Sequence, residues 1–289
     1  MIKINRILCP TDLTSESEKG IRYANALARA FDAELLLCHC ASEIPDLATS
    51  ESLKHKLINS LRAQAGAVQS PTTECTAIII EGDPAGEIVR LATERDVDLI
   101  VMNSRRKTNL TALIGSTTEA VTRKAPCPVM VVHPDEREWV GKTMCEIDLH
   151  RILVAYDFSS YSELALKYGL ALAQEFQTEL HLLHILPVSN EPAIATLTKG
   201  IDTNVRDVAR LLRETVPEEA YLWCQVSQAV GTGQPDEEIL SYSIEHDIDL
   251  ICMGVHGVGF VQRALFGSNT DRVMRRAKCP VLVARPVQI

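Results

Sequence analysis

Three glycines, a serine and an asparagine near the end of this 289-residue chain have the types and spacing to hold an anion. They are Gly254, Gly257, Gly267, Ser268 and Asn269, in the pattern Gly-x2-Gly-x9-Gly-Ser-Asn. Glycines let main-chain N–H groups approach a phosphate with no side chain in between. A helix start offers N–H groups without partners and the positive end of the helix dipole. Ser268 has a hydroxyl that can cap such a helix and also donate to a phosphate oxygen. The competing reading is plain turn chemistry, since glycine pairs between a strand and a helix often only turn the chain. The length of the pattern and its place between a buried strand and a helix favour the anion site. It is neither the dinucleotide fingerprint nor a P-loop, because no lysine precedes Ser268.

Two elements must position these residues. The apolar run Asp249–Met253 reads as a strand that ends at Gly254, and Ser268–Ala277 reads as a helix leading into a last strand, Val281–Arg285. Upstream, Arg151–Tyr156 reads as a first strand ended by Asp157. Ser160-Tyr-Ser-Glu163 reads as a capping box that opens a helix running to about Gln177, and Ser15-Glu-Ser-Glu18 repeats that box upstream. Glu179–Ile185 is a second strand, Ile194–Thr215 a helix, Ala220–Ser227 a third strand, Gly231-Thr-Gly-Gln-Pro235 a loop and Asp236–His246 a helix. Strands alternating with helices imply a parallel sheet covered on both faces.

The chain contains this arrangement twice. Ile7-Leu8 and Asp12 match Ile152-Leu153 and Asp157 at an offset of 145, and Tyr23 and His39 match Tyr168 and His184 at the same offset. Asp96–Met102 matches Asp247–Met253 at 151, and Gly115-Ser116 matches Gly267-Ser268 at 152. A unit of about 145 residues is too long for a solenoid repeat and right for a domain. The copies are placed at 1–138 and 148–289, joined by a charged linker without helical or strand periodicity.

Gly254, Gly257, Gly267 and Ser268, with Cys279-Pro280-Val281 downstream, resemble the ATP-binding branch of the universal stress protein family. The resemblance implies two tandem open parallel five-stranded sheets in order 3-2-1-4-5 with helices on both faces, an α/β fold of the adenine-nucleotide alpha-hydrolase kind. In such sheets the ligand crevice lies where strand order reverses, and Asp157 and Gly254 fall at the two strand ends concerned. The resemblance further implies that Asp157 faces the adenine and ribose end of a nucleotide and that the backbone of Ile185 contacts adenine. Gly254, Gly257, Gly267, Ser268 and Asn269 would hold ribose and phosphates. The implied ligand is ATP, or AMP or ADP, with or without Mg2+. From the residues alone, Asp157 is as readily a turn or helix-cap carboxylate, Ile185 a core strand residue, and Arg263 a solvated loop arginine. The short Val-rich last strands, Val129–His133 and Val281–Arg285, resemble those the family pairs, which implies an intramolecular pseudo-dimer of the copies and leaves a homodimer of chains open.

The first copy departs from the pattern. Asn103 and Arg106 stand where the second has Gly254 and Gly257, while Asp12 and Gly115-Ser116-Thr117 survive, with Ser116-Thr-Thr-Glu119 reading as a capping box. Side chains at 103 and 106 would crowd a phosphate, so a degenerate site is expected there. Arg105, Arg106 and Lys107 are a basic tip or an anion contact.

Other chemistries find little support. The net charge of −9 argues against a nucleic-acid partner, and no apolar run approaches the roughly 20 residues of a membrane span. Nine cysteines without a Cys-x-x-Cys pair read as reduced thiols of a cytoplasmic protein. His181 and His184, three apart on a strand, point to opposite faces and cannot share a metal. The leading expectation is a nucleotide-dependent stress-response regulator. The alternatives are slow ATP hydrolysis at the same site, through Asp157 and bound magnesium, and a nucleotide-independent protein-interaction scaffold.

Overall fold

The computed structural model describes residues 2–41, 46–65, 74–104, 114–133, 136–141, 147–187, 205–257 and 267–285. One compact unit is built on Met1–Asp148 and a second on Leu149–Ala284.

In the first unit the strands are β1 (Arg6–Pro10), β2 (Glu34–Ala41), β3 (Cys75–Glu81), β4 (Leu99–Asn103) and β5 (Val129–Val132). The helices are α1 (Glu18–Ala30), α2 (Leu47–Ala65), α3 (Pro84–Glu94) and α4 (Ser116–Lys124). The strands are parallel and lie in the order β3-β2-β1-β4-β5. The second unit repeats this with β6 (Arg151–Ala155), β7 (Glu179–Pro187), β8 (Val226–Gly233), β9 (Leu250–Gly254) and β10 (Val281–Ala284), in the order β8-β7-β6-β9-β10. Its described helices are α5 (Ser160–Phe176), α6 (Val205–Thr215), α7 (Pro235–Glu245) and α8 (Ser268–Arg276). The expected order 3-2-1-4-5 is thus present in each copy. Leu8, Ile100, Leu153 and Ile251 on the central strands are fully buried, as a sheet covered on both faces requires.

One device fixes the register of the central pair in both units. Asp98 Oδ2 accepts the main-chain N–H groups of Asn5 and Arg6 at 2.8 and 3.0 Å. Asp249 Oδ2 does the same for His150 and Arg151 at 2.9 and 3.0 Å. A carboxylate at the foot of the fourth strand thereby pins the start of the first, and matching register pairs follow, Ile7 with Leu99 and Ile152 with Leu250.

Local expectations need correction at several points. The third strand of the second copy is Val226–Gly233, not Ala220–Ser227. Residues Glu218–Leu222 form a 3-10 turn, in which Leu222 is 86 % exposed and has no sheet face to join. Gly231 and Gly233, expected in a loop, pair with Ile185 and Pro187. The box at Ser160 is shifted by one residue: Ser159 is the N-cap of α5 and accepts from Ser162 N–H at 3.1 Å. Ser15–Ser17 is a 3-10 turn ahead of α1, and no side chain caps it. Half of the helix expected at Ile194–Thr215 lies outside the described residues.

The linker is ordered where it is described. Lys19 Nζ, on α1, donates to the carbonyls of His133 at 2.7 Å and Glu136 at 3.4 Å, and lies 3.3 Å from the Glu138 carboxylate. Trp139 donates its main-chain N–H to the Tyr23 hydroxyl and packs edge-on against that ring, 4.6 Å between centroids. Among the described residues no helix is long and apolar enough to cross a membrane.

Candidate functional site

The site of the second copy forms where β6 and β9 end. After β6 the chain turns at Asp157-Phe158-Ser159. Asp157 Oδ1 accepts from Ser159 N–H at 3.1 Å and from Ser159 Oγ at 2.6 Å, an Asx-type turn that puts Phe158 in the left-handed region at φ 64°. The first copy folds the same way: Asp12 Oδ1 accepts from Thr14 N–H and Oγ1 at 3.0 and 2.6 Å, and Leu13 has φ 63°. The turn role weighed for this carboxylate is therefore real in both copies, and it engages Oδ1. The other oxygen, Oδ2, lies 2.6 Å from where a side chain on Gly257 would begin. The structure thus brings together the carboxylate after the first strand and the glycine loop after the fourth, 100 positions apart in the chain.

The three motif glycines differ in what their bareness makes room for, and none of them has a positive φ. Gly254 is buried. A Cβ there would sit 2.6 Å from Tyr161 Cβ and 2.8 Å from the Tyr161 carbonyl carbon, so this glycine lets the strand end close on the first turn of α5. Gly267 donates its N–H to the Val255 carbonyl at 3.1 Å, and a Cβ would meet that oxygen at 3.0 Å and His256 Cα at 3.5 Å. It therefore lets the start of α8 abut the loop leaving β9. Gly257 is exposed and faces the Asp157 carboxylate.

Gly267, rather than Ser268, is the N-cap of α8, and Gly115, rather than Ser116, is the N-cap of α4; neither helix has a side-chain cap. The expected capping role of Ser268 and the box at Ser116 are thereby corrected. The first bond inside α8 runs from Asp271 N–H to the Gly267 carbonyl at 2.9 Å. The N–H groups of Ser268, Asn269 and Thr270 precede it and have no acceptor within the helix. Ser268 is exposed and Asn269 half-buried. Thr270 is buried and ties the helix to the strand end, its hydroxyl donating to the Gly254 carbonyl at 2.8 Å.

Ile185 lies on β7, 9 % exposed, with its side chain over Gly231. A cluster that the sequence did not single out stands at the ends of β6 and β7. His184 Nδ1 is 2.7 Å from the Tyr156 carbonyl oxygen, and the Phe158 ring lies 5.1 Å from Tyr156 and 5.0 Å from His184. The repeat gave a signal for it, since His39 Nδ1 meets the Thr11 carbonyl in the same way at 2.9 Å. Burial pulls the His184 pKa down, against the opposing influence of the Tyr156 carbonyl and Asp157. His256, between the motif glycines, is buried edge-on to Tyr161 at 5.4 Å. Arg263 and the basic stretch Arg105–Lys107 lie outside the described residues. Among the described residues no group of three His, Cys, Asp or Glu side chains is placed to hold a metal ion.

In the first copy the equivalent strand ends enclose a cavity of about 430 Å3, lined among others by Asp12, Cys40, Asn103 and Ser116. Asn103 is accommodated because the facing residue of α1 is Gly20, whose Cβ position lies 3.3 Å from Asn103 Cβ. The close strand–helix contact thus relies on a helix glycine in one copy and a strand glycine in the other.

The model of the universal stress protein family matches residues 3–133 and 149–285. A universal stress protein of Mycolicibacterium smegmatis is 25% identical over 299 aligned positions, covering 97% of each chain. One from Methanocaldococcus jannaschii is 33% identical over 143 positions, 46% of this chain and 84% of its own. The crystal structure of a universal stress protein from Archaeoglobus fulgidus superposes with a TM-score of 0.69 at 24% identity, covering 98% of this chain and 99% of its own.

Proposed function

Because this chain belongs to the universal stress protein family, in tandem form, we propose that its second copy binds an adenine nucleotide, ATP or its AMP or ADP remnant, and acts through it as a stress-response regulator. The observation that carries this reading is the approach of Asp157 Oδ2 to Gly257 beside the start of α8. A carboxylate suits ribose hydroxyls, which donate to it. Main-chain N–H groups at a bare helix mouth suit phosphate oxygens. Tyr156, Phe158 and His184 at the neighbouring strand ends offer flat surfaces for a base, next to the Ile185 backbone.

On this reading the residues divide the work. Ser159 anchors the Asp157 carboxylate at Oδ1, and Oδ2 is the oxygen that approaches Gly257. Gly257, Gly267, Ser268 and Asn269 present main chain and a hydroxyl to the phosphates. Gly254 shapes the site by letting α5 close on the strand. A magnesium ion, where present, would be held chiefly by the phosphates and would supply charge neutralisation, with Asp157 Oδ2 as the protein oxygen within the site. The degenerate loop in 1–138, the intact one in 148–289, the pairing of the copies and a cytoplasmic location belong to the same proposal.

The test is the nucleotide content of the purified full-length protein. Denaturation should release close to one adenine nucleotide per chain, and the Gly257→Glu variant should release none while melting at the same temperature. Equal nucleotide in the variant would overturn the reading.

A further inference from the structure

His184 is fixed through one ring nitrogen and open at the other. Its Nδ1 lies 2.7 Å from the Tyr156 carbonyl oxygen. A carbonyl oxygen can only accept, so Nδ1 carries the ring proton and donates it. A neutral imidazole has one such proton, which makes Nε2 an acceptor. Burial keeps the ring neutral at pH 7, since it lowers the pKa from 6.5 against the pull of the Tyr156 carbonyl and Asp157. Among the described residues no hydrogen bond reaches Nε2.

The bond to the carbonyl belongs to the fold, because His39 makes it to Thr11 in the first copy at 2.9 Å. What surrounds the ring does not repeat. In the second copy the Phe158 ring lies 5.0 Å from the imidazole, tilted by 57°, and the Tyr156 ring lies 5.1 Å from Phe158. At the offset of 145 the first copy has Thr11 and Leu13 in these places. Aromatic faces receive a flat heterocycle, and neither a threonine nor a leucine offers one. The ring also stands between the two contacts assigned to a nucleoside. It precedes Ile185 on β7 and is bonded to the residue before Asp157.

We propose that His184 is the residue that selects the base in the second copy, its Nε2 accepting an N–H of the 6-amino group of adenine. The assignment rests on the reading that this copy binds a nucleotide. Beside its flat face, the ring then offers an edge of one fixed polarity. An amino group at position 6 meets it as donor to acceptor. An oxo group sets two acceptors against each other, and a base without a substituent there leaves the edge unmatched. Discrimination is therefore built into the tautomer, which the Tyr156 carbonyl dictates.

The test is titration calorimetry of the full-length protein with three triphosphates. ATP, ITP and purine riboside triphosphate share ribose and phosphates and carry an amino group, an oxo group and a hydrogen at position 6. ATP should bind about tenfold or more tightly than either of the others. In His184→Asn the amide nitrogen takes the place of Nδ1 and can still donate to the Tyr156 carbonyl, but nothing stands at Nε2. The ratio of ATP to purine riboside triphosphate affinity should shrink there to about threefold or less. The ratio cancels whatever stacking is lost from both ligands, so a purely structural role for the ring would leave it in place. His184→Gln, whose amide oxygen reaches the position of Nε2, should keep more of the ratio than His184→Asn. ATP bound no more tightly than the other two, or a wild-type ratio in His184→Asn, would overturn the assignment while leaving nucleotide binding intact. No binding of any of the three would overturn the nucleotide reading and the assignment with it.

Discussion

Adding one methyl group at Gly254 or at Gly257 should give opposite phenotypes, although both glycines belong to one motif. At Gly254 the new Cβ would stand 2.6 Å from Tyr161 Cβ and 2.8 Å from the Tyr161 carbonyl carbon. Ordinary contact begins near 3.4 Å, so the first turn of α5 must retreat, and backbone inside a close-packed unit does not yield cheaply. Overpacking of this kind costs ~1–3 kcal/mol. For a unit of this size that lowers the melting temperature by roughly 2–10 °C. At Gly257 the obstacle is a side-chain oxygen, Asp157 Oδ2, at 2.6 Å in an exposed position without positive φ. The carboxylate can swing aside, so stability should change by no more than about 0.5 kcal/mol. Its hydrogen bonds to a ribose would be lost, however, and a hydrogen bond to a charged group contributes about 1.5–3 kcal/mol, which is roughly ten- to hundredfold in Kd. Differential scanning calorimetry and titration calorimetry with ATP on both variants provide the assay. Gly254→Ala should melt early, and Gly257→Ala should melt normally and bind weakly. A stable Gly254→Ala protein, or a Gly257→Ala protein with wild-type affinity, would refute the division of roles.

Three further outcomes follow from the same contacts. Thr270→Val removes the buried hydroxyl that donates to the Gly254 carbonyl at 2.8 Å, and should cost ~1 kcal/mol in thermal unfolding. Lys19→Met withdraws the cation that lies 3.7 Å from the fully buried Glu136 side chain, and should destabilise the first unit by ~3 kcal/mol in urea, because the carboxylate stays buried without it. His181 and His184 both have their pKa lowered chiefly by burial. Below their ordinary value of 6.5 the unfolded chain takes up protons before the folded one, so the stability of the second unit should be complete above that pH and fall beneath it until the folded pKa values are passed. Melting curves from pH 8 to pH 5 check this, and His184→Asn should flatten the decline.

The repeat made much of the architecture legible. Matching pairs such as Ile7-Leu8 with Ile152-Leu153, and Asp98 with Asp249, recur because each copy must build the same central strands with the same carboxylate pin. The convergence of Asp157 with the glycine loop was also readable, since both stand at strand ends in an alternating pattern. What Gly254 makes room for was not readable, because a glycine required by a neighbouring helix has the same letter as one required by a ligand. The caps at Ser160, Ser116 and Ser268 were misplaced by one residue: several serines or glycines stand in a row, and only the backbone shows which one leaves the helix. The third strand of the second copy was misplaced because Tyr221, Leu222 and Trp223 look like strand residues, whereas pairing with β7 selects Val226–Gly233. The turn role of Asp157 was legible from its type and place at a strand end, and the repeated Asp-x-Ser/Thr of both copies forms it.

The measurement closest to the central claim is a crystal structure of the full chain soaked with ATP. The account predicts adenine beside Tyr156 and His184, ribose on Asp157, and phosphates against the main chain of Gly257 and Ser268 in the second copy. Nucleotide density confined to the first-copy cavity, or no nucleotide at saturating concentration, would contradict it.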